Sequence, residues 1–204
     1  VEGVLGSGVM PAVVGQAGVE HMRKYGTTAE QFAKVSVKNH KHSVHNPLSQ
    51  YRVEVSLGDV MKGRMVAYPN TLYMCCPTGD GAAAAVLVSG EKAKQFASAK
   101  PVKLACSILT SDPYTPRDLT MPDVNTLTKN AAKLAYEKAG IGPKDLDLVE
   151  LHDCFATAEL LHYENLGLCG EGEAGRMIDE GRTSIGGEIP VNASGGLLSK
   201  GHPL

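Results

Sequence analysis

The sequence predicts an α/β fold, in which helices cover a sheet. Residues 80–89 and residues 102–109 are short, continuous apolar runs, which are typical of strands buried on both faces. Residues 124–139 carry apolar side chains at helical spacing, and residues 146–151 form another short apolar run. Strand, helix and strand in this order indicate a sheet flanked by helices. A buried helix is the alternative for residues 80–89, although residues 91–99 match a helix better.

Three more helices are predicted in the first part of the chain. Residues 12–25 have apolar side chains at helical spacing, and Gly26 follows as a C-cap would. Residues 27–30 (TTAE) resemble a capping box, which predicts that a second helix opens there. Residues 48–78 lack a strong period, so we expect irregular structure with one short helix at residues 57–61.

Composition and charge exclude several functional classes. The chain has 204 residues, enough for one domain or for parts of two, and a formal net charge of −2. Its Lys and Arg residues are scattered, so there is no electrostatic footprint for nucleic acid. No apolar run approaches the roughly 18–20 residues that span a bilayer, and no signal peptide is evident. We therefore expect no nucleic-acid partner, no membrane insertion and no targeting signal in this chain.

The cysteines argue against a disulfide framework. There are five, an odd number, and Cys75 and Cys76 are adjacent. Neighbouring cysteines rarely suit a disulfide with each other, so a reducing compartment is expected. The chain opens at Val1 without an initiator Met and stops at Leu204. We expect it to be a piece cut at both ends from a longer polypeptide.

A histidine cluster in the first half raises the question of a metal. His40, His42 and His45 lie within six residues of one another. Their spacing does not match the i, i+4 pair of a zinc-binding helix, and no nearby carboxylate completes a ligand set. We therefore predict an exposed polar connection and no metal site.

The first candidate for chemistry is the segment His152-Asp153-Cys154. It lies between the apolar run at residues 146–151 and a helical pattern after Phe155. Reactive groups are often found where a strand ends and a helix begins, and a thiol there can become a more reactive thiolate. The alternative is a partly buried His-Asp pair that caps a helix, with Cys154 as a small core residue. Spacing alone leaves the two interpretations even.

The second candidate is at the end of the chain. His202 lies among glycines, and Gly195 and Gly196 precede it. Glycines let the main chain approach a ligand closely, and a His in such a loop can act as a base near neutral pH. A surface loop with an incidental His is plausible only if this motif is taken separately from the first.

Taken together, these motifs resemble thiolases of the sterol-carrier-protein type. Residues 152–155 (HDCF) and 192–203 (NASGGLLSKGHP) are similar to the C-terminal active-site blocks of that family. Residues 17–26 (AGVEHMRKYG), 38–43 (KNHKHS) and 76–82 (CPTGDGA) are also similar, and they occur in the family's order. The resemblance covers essentially the whole chain.

The resemblance implies a fold and a domain division. Thiolases have two similar α/β halves, stacked as five αβαβα layers, with a loop domain inserted in the first half. By this resemblance residues 1–74 are loop domain, residues 75–99 end the N-terminal half, and residues 100–204 are an incomplete C-terminal half. The family's nucleophilic Cys lies upstream, and none of the five cysteines occupies that position.

The resemblance also implies roles for individual residues. Thiolases cleave 3-oxoacyl-CoA with CoA, or run the reverse condensation. His202 is expected to activate the nucleophile and help hold the thioester oxyanion, in an oxyanion hole to which His152 also belongs. Cys154 is expected to be the acid and base for the α-carbon proton, while Gly195 and Gly196 shape the substrate pocket. Asp153 is expected to be structural.

Partners, compartment and direction follow only from the resemblance. We expect acyl-CoA and CoA as substrates, no cofactor, a homodimer or tetramer, and a peroxisomal or mitochondrial location. One alternative is a non-catalytic thiolase-like binding or scaffold module that lacks the nucleophile half. Another is a condensing acetoacetyl-CoA thiolase, since the same motifs serve both directions.

Overall fold

The computed structural model describes residues 9–96, 100–111 and 126–203. Within these ranges it contains eight α-helices and four short strands. The helices are α1 (Met10–Tyr25), α2 (Ala29–Ser43), α3 (Leu57–Lys62), α4 (Gly90–Ala93), α5 (Thr126–Ala139), α6 (Ala156–Asn165), α7 (Ala174–Asp179) and α8 (Gly196–Lys200). The strands are β1 (Met65–Ala67), β2 (Asn70–Thr71), β3 (Thr78–Gly79) and β4 (His202–Pro203).

Helix α2 lies at the centre of the packing. It contacts α3, α6, α7 and α8, together with the 3₁₀ turn Leu72–Met74. Phe32 and Val35 of α2 are fully buried in one apolar cluster with Leu160 and Tyr163 of α6. Most of the helix's stabilisation therefore comes from tertiary contacts, as is usual for helices in proteins.

The end of α1 and the start of α2 lie close to where the local sequence signals predict them. Gly26 ends α1 with φ 76°, and its N–H bonds the carbonyl of Met22. This left-handed conformation favours glycine because a Cβ would be strained there. The capping box of α2 is one residue later than predicted: Thr28 pairs with Gln31. Thr27 is not the cap because its hydroxyl bonds His21 Nδ1 at 2.8 Å.

The predicted strands at residues 80–89 and 102–109 are wrong. The structure assigns neither helix nor strand to these residues, so the helical alternative for 80–89 is wrong too. Val86 is 88 % exposed and Leu109 is 96 % exposed. Within the described ranges the sheets contain two strands each, β1 with β2 and β3 with β4. A buried strand needs neighbours on both sides for its backbone hydrogen bonds, and the described residues supply none for these runs.

The third predicted strand is reduced to one parallel bridge. Val149 pairs with Val191, and Asn192 N donates to Val149 O at 2.8 Å. This contact aligns the start of the HDCF segment with the loop that precedes α8.

Other helix predictions hold over the described residues. Helix α5 runs to Ala139 and is closed by Gly140 at φ 72°, and α3 covers the predicted 57–61. The predicted helix at residues 91–99 is realised only as α4. Residues 97–99 and 124–125 lie outside the described residues. No helix among the described residues has the length and apolarity needed to cross a membrane.

The prediction of an exposed polar connection around the histidines is wrong for His40 and His42 but holds for His45, which lies exposed in a turn. His40 and His42 belong to α2 and are buried. His40 packs against the rings of Tyr51 and Tyr73, with ring centroids 6.2 and 6.1 Å apart. These partners lie far away in sequence, which is why local spacing could not indicate them.

Burial of His40 predicts a pH dependence of stability. Burial lowers the pKa of His40 below its usual 6.5 in the folded protein. An unfolded His40 therefore binds a proton near pH 6.5 while the folded one does not, so stability falls as the pH drops through that value. We expect His40→Gln to lose less stability than wild type between pH 7 and pH 5, measured by urea denaturation. An equal loss in both proteins would contradict the prediction.

Candidate active site

Three separate segments of the chain meet at the candidate active site. Strand β4 pairs in parallel with β3, with Thr78 opposite His202, and His202 N donates to Pro77 O at 2.8 Å. Next to this pair, Cys76 N donates to Cys154 O at 3.0 Å. The segment 75–79 thus lies between the HDCF segment and the C-terminal Gly-His-Pro segment and holds both by backbone hydrogen bonds.

The two histidines predicted for catalysis lie against each other. The ring centroids of His152 and His202 are 5.0 Å apart, with the rings nearly perpendicular at 85°. Partial burial lowers the pKa of His152, and the neighbouring His202 lowers it further. The neutral imidazole of His152 is therefore favoured at neutral pH, as a group that can donate one hydrogen bond without carrying charge.

Cys154 is a protonated thiol at neutral pH. The side chain is half-buried, and burial, followed by the nearby Cys76 and Asp153, raises its pKa to about 12. Burial also raises the pKa of Cys76. A thiol with such a pKa is a poor nucleophile in the resting protein but retains a proton that it can donate.

Asp153 is fully buried beneath the site. Its Oδ1 accepts a hydrogen bond from Leu197 N at 2.6 Å, and its Oδ2 accepts one from Asn39 Nδ2 at 2.8 Å. Burial and the nearby Glu159 raise the pKa of Asp153 well above its usual value. The side chain thus connects α2 with the first turn of α8.

Gly195 and Gly196 are required by their backbone conformation and by lack of space. Their φ angles are 103° and 58°. A Cβ at Gly195 would lie 2.5 Å from the Cβ of Ser43, and one at Gly196 would overlap the carboxylate of Asp153. Gly196 thus lies against Asp153, and Gly195 lies against Ser43 of α2.

A buried ion pair lies below Asp153. Lys38 Nζ is 2.7 Å from Glu159 Oε1, and the two side chains are 4 % and 0 % exposed. Glu159 Oε2 accepts hydrogen bonds from Asn39 Nδ2 at 2.6 Å and from Asn192 Nδ2 at 2.7 Å. Asn192 adopts φ 54°, and its Oδ1 accepts from Leu151 N at 2.9 Å. The network therefore reaches both segments that carry the predicted catalytic residues.

Comparisons with known proteins show which proteins this chain is similar to. Residues 114–204 match the model for the thiolase C-terminal domain-like family. The chain is 47 % identical over 200 residues to sterol carrier protein 2 of Oryctolagus cuniculus, covering 96 % of this chain and 37 % of that protein. It is 44 % identical over 186 residues to the benzoylsuccinyl-CoA thiolase subunit BbsB of Thauera aromatica, covering 90 % of this chain and 48 % of that one.

This chain belongs to the thiolase family. Among solved structures, it superposes on the Ltp2-ChsH2(DUF35) aldolase with a TM-score of 0.78 and 26 % identity, over 93 % of this chain and 50 % of that one. The α/β thiolase fold predicted from the sequence is thereby confirmed. The chain spans about 37 % of the length of the curated sterol carrier protein and about half of the thiolase subunit.

Several residues of this thiolase-family site were missed by sequence reasoning. Lys38 and Asn39 lie in the KNHKHS motif, but nothing in their local pattern indicates that they are buried. Glu159 lies in the helical pattern after the HDCF segment, where a charged side chain suggests a solvated face. The resemblance of KNHKHS to a thiolase motif was the available signal for these buried residues. No group of three or more His, Cys, Asp or Glu side chains with metal-binding geometry occurs among residues 9–96, 100–111 and 126–203.

The buried ion pair predicts a large stability loss when one partner is neutralised. In Glu159→Gln the charge of Lys38 would remain buried without its partner, which typically costs about 3–5 kcal/mol. We expect that loss in the free energy of unfolding, measured by denaturant titration. The matched control is Glu180→Gln, because Glu180 pairs with Arg176 on the surface at 2.7 Å and such pairs contribute about 0–1 kcal/mol. Equal losses in the two variants would contradict the assignment.

Proposed function

We propose that this chain is part of a thiolase-type acyltransferase that cleaves 3-oxoacyl-CoA with CoA. The observation that carries the proposal is the pairing of the His152 and His202 rings at 5.0 Å, with Cys154 two residues from His152. Segment 75–79 holds the backbone of both Cys154 and His202, through Cys76 N and Pro77 O. The two imidazoles and this thiol would supply the hydrogen-bond donors and the proton carrier that carbon–carbon cleavage next to a thioester requires.

The proposed reaction begins with a thiolate that attacks the 3-oxo carbon of the substrate. The bond between C2 and C3 then breaks, and its electron pair moves to C2 and the thioester oxygen as an enolate. His152 and His202 donate hydrogen bonds to that oxygen. In enzymes of known mechanism, the loss of one such donor costs ~100–1,000-fold in rate.

Cys154 would supply the proton for C2. The pKa of about 12 keeps it as a thiol in the resting protein, ready to protonate the enolate and release acetyl-CoA. The resulting thiolate then takes the proton of the incoming CoA thiol, whose sulfur attacks the acyl group and regenerates the nucleophile. In the reverse condensation the same thiol would first protonate the departing CoA thiolate and then, as a thiolate, remove the proton from C2, so one resting state serves both directions.

The nucleophile would come from a first thiolase half outside these residues. None of the five cysteines in this chain is assigned to that role. Support comes from the exposed apolar runs at residues 80–89 and 102–109, which a first half would cover. We accordingly propose residues 1–74 as loop domain, 75–99 as the end of the N-terminal half and 100–204 as the C-terminal half.

The remaining features of the proposal follow from the family. Acyl-CoA and CoA would be the substrates, with no separate cofactor, and the whole protein would be a homodimer or tetramer. Sterol carrier protein 2 among the relatives supports a role in fatty acid or sterol side-chain metabolism. A peroxisomal or mitochondrial location belongs to the same proposal.

A second candidate is a lyase that breaks the carbon–carbon bond without CoA. It is suggested by the aldolase among the structural relatives. Retro-aldol cleavage needs an acid, a base and a stabilised enolate but no thiol acceptor, so the His152, His202 and Cys154 arrangement would also serve it. Dependence on free CoA distinguishes the two reactions. A protein that cleaves neither 3-oxoacyl-CoA nor 3-hydroxyacyl-CoA would be a non-catalytic binding module.

The test is CoA-dependent cleavage of a 3-oxoacyl-CoA by the natural full-length protein. We expect thiolysis in the wild type and a loss of about 100-fold to 10,000-fold in kcat for Cys154→Ala, the range for removal of an acid–base group. Cys169→Ala is the matched control, because Cys169 is also half-buried with a pKa of about 12 but packs against the main core.

Two results would contradict parts of the proposal. Full activity of Cys154→Ala would remove this thiol from the mechanism. A wild type that cleaves 3-hydroxyacyl-CoA in the absence of CoA, but shows no thiolysis, would establish the lyase instead.

A further inference from the structure

The carboxyl group of Asp153 joins the two segments that carry the candidate catalytic residues. In sequence Asp153 lies between His152 and Cys154, but its side chain is fully buried. It accepts hydrogen bonds from the first turn of α8, at 2.6 Å from Leu197 N and 3.4 Å from Leu198 N. Helix α8 ends two residues before His202, so this carboxylate fixes the helix that leads directly to the second imidazole.

The first turn of α8 has no room to move independently of Asp153. A side chain at Gly196 would overlap the carboxylate, and one at Gly195 would meet Ser43 of α2. The turn is therefore held between Asp153 on one side and α2 on the other. Any shift of the carboxylate must be transmitted to α8, because interiors are close-packed.

The orientation of the carboxylate is itself set by the buried network. Asn39 Nδ2 donates to Asp153 at 2.8 Å and to Glu159 at 2.6 Å. Glu159 is fixed in turn by Lys38 at 2.7 Å and by the Tyr163 hydroxyl at 2.6 Å. Groups tied together in this way have little rotational freedom, so Asp153 offers α8 a fixed pair of acceptors.

We propose that Asp153 is a positioning residue, which holds α8 so that the imidazole of His202 stays against that of His152. The inference rests on the proposed thiolase function and extends it to a residue that does not touch substrate. Asp153 acts through His202, because its own carboxylate is below the site and fully engaged with Asn39 and the α8 backbone.

The test is Asp153→Asn in the natural full-length protein, assayed by 3-oxoacyl-CoA thiolysis. An amide of the same size turns an NH₂ group toward one of the N–H donors, so at least one contact with α8 or Asn39 is lost. We expect kcat to fall about 10-fold to 100-fold, as for small misplacements of catalytic groups, while KM for the thioester changes less than about threefold. The part of the kcat–pH profile that reports ionisation of an imidazole should shift as well.

The pH profile separates positioning from a merely structural role. A variant that is only less stable would lower the concentration of folded enzyme, and the folded fraction would keep the wild-type KM and pH profile. Glu150→Gln is the matched control, because Glu150 also binds this loop, through Ser194 N at 2.8 Å, but at the surface. We expect this control to retain the wild-type kcat and pH profile.

Gly196→Ala changes the α8 side of the contact with Asp153 and leaves the carboxylate itself unchanged. The added methyl group would overlap that carboxylate. It should reproduce the kcat loss and the shifted pH profile, and it remains decisive if Asp153→Asn does not fold. A folded variant of either kind with wild-type kcat and pH profile would overturn the role of Asp153. Absence of thiolysis in the wild type would instead overturn the proposed function, and this inference with it.

Discussion

The arrangement of the site depends on the buried ion pair between Lys38 and Glu159. Both side chains are almost completely shielded from water, so neither charge can be left without its partner except at a cost of several kcal/mol. Such a pair adds little net stability relative to apolar residues, but it tolerates few alternative arrangements of the groups around it. Because Asn39 and Asn192 bind the same carboxylate, Glu159 links α2, α6 and the loop before α8.

Burial pushes the ionisable groups around the site toward their uncharged forms. It raises the pKa of Cys154 and lowers that of His152. Neutral hydrogen-bond donors held in place can stabilise the negative charge that develops on a bound thioester oxygen. The electrostatic features of the resting protein thus match the requirements of the proposed cleavage reaction.

Helices were more predictable from the sequence than the sheet or the buried polar residues. Gly26 and the apolar side chains at helical spacing in α5 are local signals, so their helices could be placed within a few residues. The runs at 80–89 and 102–109 are apolar enough for strands, but strand formation depends on neighbours that no local pattern specifies. His40 and Lys38 have distant partners, so their polar character suggested exposure. The association of the HDCF and Gly-His-Pro segments came from the family resemblance, because neither period nor composition connects them.

The parallel pairing of β3 with β4 has a consequence for the order of folding. Thr78 and His202 come from distant parts of the chain, so their pairing closes a long loop, and its entropic cost must be met before the contact forms. The hydrogen bonds within a helix such as α2 join residues only four positions apart, so forming them closes no long loop. The contact between the two imidazoles therefore carries a loop-closure cost that the hydrogen bonds within the helices do not.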